Sequence, residues 1–304
     1  MTELLVPGLV VRQQSGFYTV QCADQQITCS LRGRFKLEKT NEDFVAVGDH
    51  VQVEIQSEGK GVIEAVLPRK SAFVRLAPMA RGEYKQVLLA NPDLLLIVFA
   101  CAEPEPHTRM LDRFLVIAEK QRIPAAIVAN KLDLISDTQA EAIFGMYRPL
   151  GYTVLFASAQ TGQGVPEVLD LLKGKITALG GPSGVGKSSL LNAMQPGLGI
   201  KVSHVKESDS KGRHTTVARE LYPLDGGGYV ADLPGLRMLS LWDTEPEELD
   251  GYFPELRPLV EHCQFNDCSH SHEPGCAVIA AVEEGKVDAR RYDSYLRLRA
   301  GEPG

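Results

Sequence analysis

The stretch GGPSGVGKSS, residues 180–189, decides the fold of much of this 304-residue chain. It places Gly181, Gly186, Lys187 and Ser188 at the spacing G-x-x-x-x-G-K-[ST], after an apolar segment and before the helical pattern SSLLNAM. In such a loop, backbone N–H groups surround phosphate oxygens and the following helix adds its positive dipole end. The stretch therefore predicts a P-loop that binds a nucleoside triphosphate.

All residues of this loop are candidate phosphate contacts. They are Gly181, Pro182, Ser183, Gly184, Val185, Gly186, Lys187, Ser188 and Ser189. We expect Lys187 to reach the β- and γ-phosphates and to act in catalysis, and the Ser188 hydroxyl to bind Mg²⁺.

The tetrapeptide NKLD, Asn130 to Asp133, indicates which base is bound. It follows the apolar segment AAIVA, at the carboxyl end of a predicted strand, where open α/β sheets bind ligands. The Asp133 carboxylate can accept two hydrogen bonds from guanine, whereas Asn130 and Lys131 would support the loop. Alone the motif is weak, but beside a P-loop it favours GTP over ATP. The later turn ASA, residues 157–159, would bring backbone amides at Ser158 and Ala159 to the guanine carbonyl.

Two further segments fit the γ-phosphate side of the site. In DLPG, Asp232 would hold Mg²⁺ through water and Gly235 would donate its N–H to the γ-phosphate. Upstream, the polar stretch SDSKGRHTTVARE offers Thr215 or Thr216 as the switch threonine. Leu236, directly after DLPG, cannot orient a water molecule, so His214 is a candidate catalytic residue, with a plain surface histidine as the alternative.

The order of these motifs indicates a circular permutation. The base-reading segments precede the P-loop here, whereas in the usual GTPase order they come last. Buried apolar strands alternate with amphipathic helices from about Lys70 onward, which predicts a mostly parallel sheet with flanking helices. Permutation costs little because domain termini commonly lie close together at the surface.

One further region precedes this permuted domain and another follows it. Residues 1–68 alternate Val, Ile, Phe and Tyr with polar residues, which predicts a small β-barrel of the SH3 or OB kind, here taken as OB. Residues 69–240 would form the permuted GTPase domain and residues 241–304 a helical zinc-binding domain. An OB barrel often binds nucleic acid, although a purely structural barrel fits the pattern equally well.

The cluster CQFNDCSHSHEPGC predicts a metal site. Cys263, Cys268, His270 and Cys276 make a Cys₃His set suited to structural Zn²⁺, because four protein ligands leave no open position. His262 and His272 are alternative ligands.

Composition limits the classes of protein that fit. The chain is 44% hydrophobic and 23% charged, with a net charge of −7, which argues against a globally basic nucleic-acid binder. Local basic segments remain, LRGRFKLEK near the N-terminus and residues 286–299 near the end. We see no leader peptide, and the apolar run LLLIVFACA is too short to cross a membrane, so we expect a cytoplasmic protein that binds no membrane.

Together, NKLD, GPSGVGKSSL, GRHTT, DLPG and DCSHSHEPGCAV resemble the small-ribosomal-subunit-dependent GTPase family known as RsgA/YjeQ. The resemblance implies a monomeric GTPase that acts in late maturation of the small (30S) subunit and is stimulated by it. It also implies that the barrel and the zinc module contact 16S rRNA. The family commonly extends GRHTT by a third threonine, where this chain has Val217.

Two other functions fit parts of the pattern. One is a GTP-dependent enzyme acting on tRNA or another RNA, but the sequence shows no second catalytic set of residues. The other is a nucleotide-gated binding module with negligible hydrolysis, which Leu236 would allow.

Overall fold

A computed structural model gives the structure of the chain and describes residues 5–36, 41–79, 82–198, 219–232 and 244–302. At residues 34, 36, 76–79, 82–83 and 219 it describes the backbone alone. The chain forms two compact units. The first is drawn from Met1–Leu95, Leu169–Gly180 and Gln195–Ser240, and the second from Leu96–Val168, Gly181–Met194 and Leu241–Gly304.

Five strands of the first unit form the expected barrel. They are β1 (Leu5–Gln14), β2 (Phe17–Cys22), β3 (Gln25–Leu31), β4 (His50–Ser57) and β5 (Lys60–Val66). Their order is β1-β2-β3-β5-β4, and an additional β1–β4 pairing closes the sheet on itself. Only β3 and β5 run parallel among these pairs. This closed five-stranded arrangement confirms the OB-type barrel.

Side chains of these strands, together with Val45 from the segment before β4, fill the barrel. The buried set is Val10, Tyr18, Val20, Cys22, Ile27, Cys29, Val45, Val51, Val53 and Ile63. A Cβ at Gly8 would overlap the side chains of Val20 and Cys22, so the close approach of β1 and β2 requires glycine at this position. Burial raises the pKa of the Cys29 thiol to about 12, so this core cysteine stays protonated.

An antiparallel hairpin follows the barrel. Strands β6 (Ala72–Met79) and β7 (Gly82–Ala90) pair along their whole length, from Ala72 opposite Ala90 to Met79 opposite Gly82. The sequence analysis did not separate this hairpin from the α/β region, because its polar and apolar residues alternate less regularly than those of the barrel.

A second sheet carries the predicted α/β pattern. Its strands are β8 (Leu94–Ala100), β9 (Ala125–Asn130), β10 (Thr153–Phe156), β11 (Ile176–Gly180), β13 (Tyr222–Pro223) and β14 (Tyr229–Asp232). The strand order is β10-β9-β8-β11-β14-β13. The short strand β12 (Arg219–Glu220), which precedes β13 in the chain, pairs with β1 of the barrel instead. The pairs β9–β10 and β11–β14 are parallel, and β13 is the antiparallel edge strand. Every residue of β8 is buried, as its unbroken apolar sequence predicts.

Four helices accompany these strands in sequence. They are α1 (Thr108–Lys120), α2 (Asp137–Phe144), α3 (Val165–Leu172) and α4 (Lys187–Met194). Helix α2 begins with a capping box, in which Ser136 accepts from the Gln139 N–H and the Gln139 side chain accepts from the Ser136 N–H. The described part of the chain contains no helix with the length and apolar character needed to span a membrane.

The C-terminal region is helical, as expected. A 3₁₀ segment, Pro246–Tyr252, precedes α5 (Arg257–Val260), α6 (Ala277–Glu283) and α7 (Ala289–Arg299). Phe253 packs edge-on against Tyr295 with ring centroids 5.6 Å apart, and Val116 of α1 belongs to the same buried cluster. This part of the second unit therefore has a continuous core with α1.

A buried ion cluster joins α1 to α7. The Arg291 guanidinium donates to Asp112 Oδ1 and to Glu255 Oε1, each at 2.6 Å, and lies over the Phe253 ring at 4.5 Å. Tyr147 donates its hydroxyl to Asp112 Oδ1 at 2.7 Å. Since Arg291 is only 1% exposed, it cannot serve as the surface charge that the basic C-terminal pattern suggested.

Candidate functional site

The residues from Gly181 to Gly186 connect β11 to α4 and have the shape of a P-loop. Gly181, Gly184 and Gly186 all have positive φ, at 129°, 77° and 89°. A Cβ at Gly181 would collide with the Val98 carbonyl oxygen, so this turn requires glycine. The Lys187 Nζ donates back to the carbonyl oxygens of Gly181 and Pro182, at 2.9 and 2.6 Å. The lysine therefore extends along the loop, on the path to the phosphates that its motif predicts.

Within the loop, only some side chains face solvent. Val185 is 1% exposed and anchors the loop in the core, whereas Ser183 and Ser189 are exposed. Lys187 opens α4 and Ser188 follows in its first turn, where backbone N–H groups lack intrahelical partners. The loop and the start of α4 thus offer N–H donors, one ammonium group and a hydroxyl to an anion.

Asn130, the last residue of β9, links the P-loop to the turn at 157–159. Its Nδ2 donates to the Val185 carbonyl oxygen at 2.8 Å, and its Oδ1 accepts from the Ala159 N–H at 3.1 Å. Asn130 is 1% exposed, so both bonds lie in the interior. The structure therefore brings together three segments that lie far apart in sequence.

Asp133 and Ser158 face each other across the same site. The Ser158 hydroxyl donates to Asp133 Oδ1 at 2.5 Å and accepts from the Thr161 N–H at 3.1 Å. Ser158 is fully buried and Asp133 is exposed, so the serine holds a carboxylate that points to solvent. Lys131 has left-handed φ of 61° and donates its Nζ to the Glu103 carbonyl oxygen.

Of the residues predicted from DLPG and from the polar stretch before it, the structure describes only Asp232. This residue ends β14 and is level with Leu179 of β11, two positions before Gly181. His214, Thr215, Thr216 and Gly235 lie outside the described residues.

The four predicted metal ligands converge in the C-terminal region. The Sγ atoms of Cys263, Cys268 and Cys276 and a ring nitrogen of His270 all lie within 4.8 Å of one another. Nδ1 of His270 is 3.5 Å from Cys263 Sγ and 3.4 Å from Cys276 Sγ. A tetrahedral Zn²⁺ at about 2.3 Å from sulfur would place ligand atoms roughly 3.5–3.8 Å apart, so this cluster could hold a metal ion.

Neighbouring groups orient these candidate ligands and affect their ionisation. His270 Nε2 lies 3.2 Å from Asp250 Oδ2, the carboxylate partner that metal-binding histidines commonly have. Burial opposes ionisation of Cys276, but bonds from the Ile279 N–H and from His270 outweigh it and lower the pKa of this thiol. The alternative ligands lie apart from the cluster, since the His262 ring faces Glu261 and His272 contacts Ser271.

Comparisons with known proteins agree with this geometry. A sequence model described as RsgA GTPase matches residues 66–242, and one described as RsgA N-terminal domain matches residues 7–63. The chain belongs to the RsgA GTPase family.

Relatives and solved structures cover almost the whole chain. The small ribosomal subunit biogenesis GTPase RsgA of Gemmatimonas aurantiaca is 45% identical over 96% of both chains, and that of Moorella thermoacetica is 43% identical over the same shares. The crystal structure of YjeQ from Thermotoga maritima covers 98% of both chains with a TM-score of 0.79 and 38% identity. YloQ, described as a circularly permuted GTPase, covers 98% of this chain and 95% of its own, with a TM-score of 0.76 and 32% identity. These matches confirm the permuted fold.

Some groups of this RsgA-family site were missed by the sequence analysis. Asp250 has no motif around it, and its contact with His270 arises only because the 3₁₀ segment packs beside the cysteine cluster. Ser158 was expected to act through its backbone, whereas its side chain positions Asp133. The spacing of ASA after NKLD was the signal that could have suggested this contact.

Proposed function

We propose that this chain is a GTPase that binds the small ribosomal subunit, hydrolyses GTP to GDP and phosphate, and acts in late maturation of that subunit. The observation that carries the proposal is the position of Asn130, which joins a P-loop to a base-side turn through two buried hydrogen bonds. The relatives described as small ribosomal subunit biogenesis GTPases support the choice of partner.

Guanine selection falls to Asp133. A carboxylate held by Ser158 can accept hydrogen bonds from the guanine ring N–H and amino group, whereas adenine offers no such pair of donors in that position. Lys131 would lie along the base, and the backbone amides of Ser158 and Ala159 would approach the guanine carbonyl.

Phosphate binding falls to the P-loop. The glycine-rich turn from Gly181 to Gly186 would surround the β-phosphate with backbone N–H groups. Lys187 would exchange its bonds to loop carbonyls for bonds to the β- and γ-phosphates. Its ammonium group would then stabilise the negative charge that develops on the leaving group in the transition state.

The donor set near the P-loop fits Mg²⁺, which prefers hard oxygen ligands. The Ser188 hydroxyl and the Asp232 carboxylate would hold it, with Thr215 or Thr216 as a further ligand. When bound, the ion would supply charge that neutralises the phosphate oxygens. His214 stays the candidate for positioning the attacking water, and Gly235 the candidate donor to the γ-phosphate.

The Cys₃His cluster fits Zn²⁺ in a structural role. Cys263, Cys268, His270 and Cys276 supply four ligands, and Cys276 also begins α6 by accepting from the Ile279 N–H. A bound ion would therefore stabilise the start of α6 and the loop before it.

The remaining assignments follow from this function. We propose that the chain acts as a cytoplasmic monomer in three domains, 1–68, 69–240 and 241–304, with the barrel and the zinc module contacting 16S rRNA.

The deciding experiment is GTP turnover with and without purified small subunits. We expect phosphate release to rise at least about tenfold on adding subunits, and to stay low with Lys187→Ala. Co-sedimentation should show binding with a non-hydrolysable GTP analogue and release with GDP. Turnover that is the same with and without subunits would refute the proposed role.

A further inference from the structure

Strand β1 has two different neighbours on one side. Its first half, from Leu5 to Leu9, pairs with β4 and closes the barrel. Its second half pairs with a short strand, β12 (Arg219–Glu220), which lies far along the chain. Strand β2 occupies the other side, so β4 and β12 share one edge of β1.

The β1–β12 junction is a regular antiparallel pairing. Arg12 lies opposite Glu220 and Gln13 opposite Arg219, and the Leu221 N–H donates to the Val11 carbonyl oxygen at 2.8 Å. Val11 and Leu221 are 4% and 3% exposed, so this bond lies in the interior. The Arg12 and Glu220 side chains approach to 4.0 Å at the surface.

Residues 219–223, here called the bridge segment, belong to two sheets. At its start the segment pairs with the barrel through β12. A single residue, Leu221, separates β12 from β13. Strand β13 pairs with β14, with Tyr222 opposite Val230. The pKa of Tyr222 is raised by burial and then by the negative charges of Glu220 and Asp232, which is consistent with their proximity.

The bridge segment is connected to two residues with proposed roles at the γ-phosphate, to one along the chain and to the other through strand pairing. Thr216 precedes Arg219 by three positions, and Asp232 ends the strand with which β13 pairs. A shift of Asp232 would therefore displace backbone that is hydrogen-bonded to the barrel, because packed strands transmit displacement rather than absorb it.

We propose that the bridge segment couples the nucleotide state of the P-loop site to the OB-type barrel through the β1–β12 pairing. Contacts to the γ-phosphate and Mg²⁺ stabilise this pairing, so the barrel reaches its RNA-binding form when GTP is bound. By reciprocity, an RNA held on the barrel stabilises the same pairing and tightens GTP binding by the same factor. The inference rests on the proposed GTP-binding function and adds the route by which it is regulated.

Hydrogen exchange of the full chain tests the coupling directly. Amide exchange is compared in GDP and in a non-hydrolysable GTP analogue with Mg²⁺. Peptides covering residues 9–14 and 219–223 should exchange about fivefold more slowly or better in the analogue, the lower end of coupling between sites. The pair β4–β5 of the same barrel should be unchanged and serves as the internal control.

The two possible failures look different. If the P-loop peptide, residues 180–190, is protected by neither nucleotide, the proposed function itself fails. If that peptide is protected but residues 9–14 exchange equally in both nucleotides, nucleotide binding stands and the coupling is refuted.

A variant pair extends the test. Backbone groups of residues two apart in a strand point to the same side, so those of Gln13 point toward β12, as the Val11 carbonyl does. Gln13→Pro therefore removes an N–H group from the β1–β12 junction. We expect this change to weaken analogue binding about fivefold or more and to leave GDP binding within about twofold. The matched control is Glu58→Pro, at the turn position before Gly59 (φ 72°), where proline is tolerated.

Charge reversal at the junction perturbs the fold less than Gln13→Pro and serves as the test if that variant does not fold. Arg12→Glu and Glu220→Arg each place like charges opposite one another across the junction, and each should weaken analogue binding about twofold or more. The double reversal restores the pair and should restore the affinity. Single and double variants that all bind the analogue like the parent would overturn the proposal.

Discussion

The Asn130 side-chain amide is hydrogen-bonded to the Val185 carbonyl oxygen at 2.8 Å, and this bond ties the base-reading loop to the P-loop. The two segments are separated by 55 positions in sequence, yet a single buried side chain sets their spacing. Because the second bond of Asn130 goes to Ala159, the phosphate and base contacts cannot shift independently. This rigidity suits a site that must recognise both ends of one nucleotide.

Asn130→Ala should therefore weaken both GTP and GDP binding. It leaves the Val185 carbonyl and the Ala159 N–H without their partner, at about 1–3 kcal/mol, or roughly 5- to 150-fold in Kd. Asn130→Asp is the matched comparison, since it keeps the acceptor but turns a carboxylate oxygen toward a carbonyl oxygen. We expect it to bind no better than the alanine variant in calorimetric titrations. Parent-like affinity in both variants would contradict the linking role.

The Asp133–Ser158 contact predicts a change of base preference. Asp133→Asn should lower affinity for GTP and raise it for xanthosine triphosphate, because the amide would then donate where the carboxylate accepted. Ser158→Ala should weaken GTP and GDP equally, by about 0.5–1.5 kcal/mol, since it removes one hydrogen bond to Asp133 and leaves the phosphate site alone. Competition binding with GTP, GDP and xanthosine triphosphate measures both effects. Unchanged GTP preference in Asp133→Asn would remove the base-reading assignment.

The Cys₃His cluster predicts metal-dependent folding of the C-terminal region. Cys276→Ser should lose about one zinc per chain, because Cys276 is a proposed ligand. The serine hydroxyl can still cap α6, so any destabilisation of that helix would come from the loss of the metal. His262→Ala and His272→Ala are matched controls, since both rings lie apart from the cluster. Metal content by atomic emission distinguishes the variants. Zinc loss in either histidine control would require a different ligand set.

How far the sequence could predict this molecule depends on the range of the interactions involved. The P-loop, NKLD and the cysteine cluster are local patterns with fixed chemistry, and the alternation of apolar segments and amphipathic helices correctly indicated a mostly parallel sheet with flanking helices. Contacts such as His270 with Asp250, or Leu221 with Val11, join segments that are distant in sequence. Nothing in the residue types of one segment indicates that it contacts the other. The basic character of residues 286–299 suggested a charged surface, whereas Arg291 is buried because Asp112 and Glu255, distant in sequence, neutralise it.

That buried cluster supports a stability prediction. Arg291→Ala should destabilise the second unit by about 3–5 kcal/mol, because Asp112 and Glu255 would remain buried without their counter-charge. Arg297→Ala is the matched control on the same helix, since its ion pairs with Asp293 and Glu302 are exposed to solvent and should contribute little to stability. Urea unfolding followed by circular dichroism compares the two.

Arg291→Met separates charge from packing. Methionine retains most of the volume but not the charge, so this variant should be nearly as unstable as Arg291→Ala. Adding Asp112→Asn and Glu255→Gln should recover part of the loss, since neutral amides cost less to bury than unpaired carboxylates. If instead Arg291→Met were as stable as the parent, the guanidinium would contribute only its bulk, and the ion cluster would not be what fastens α7 to α1.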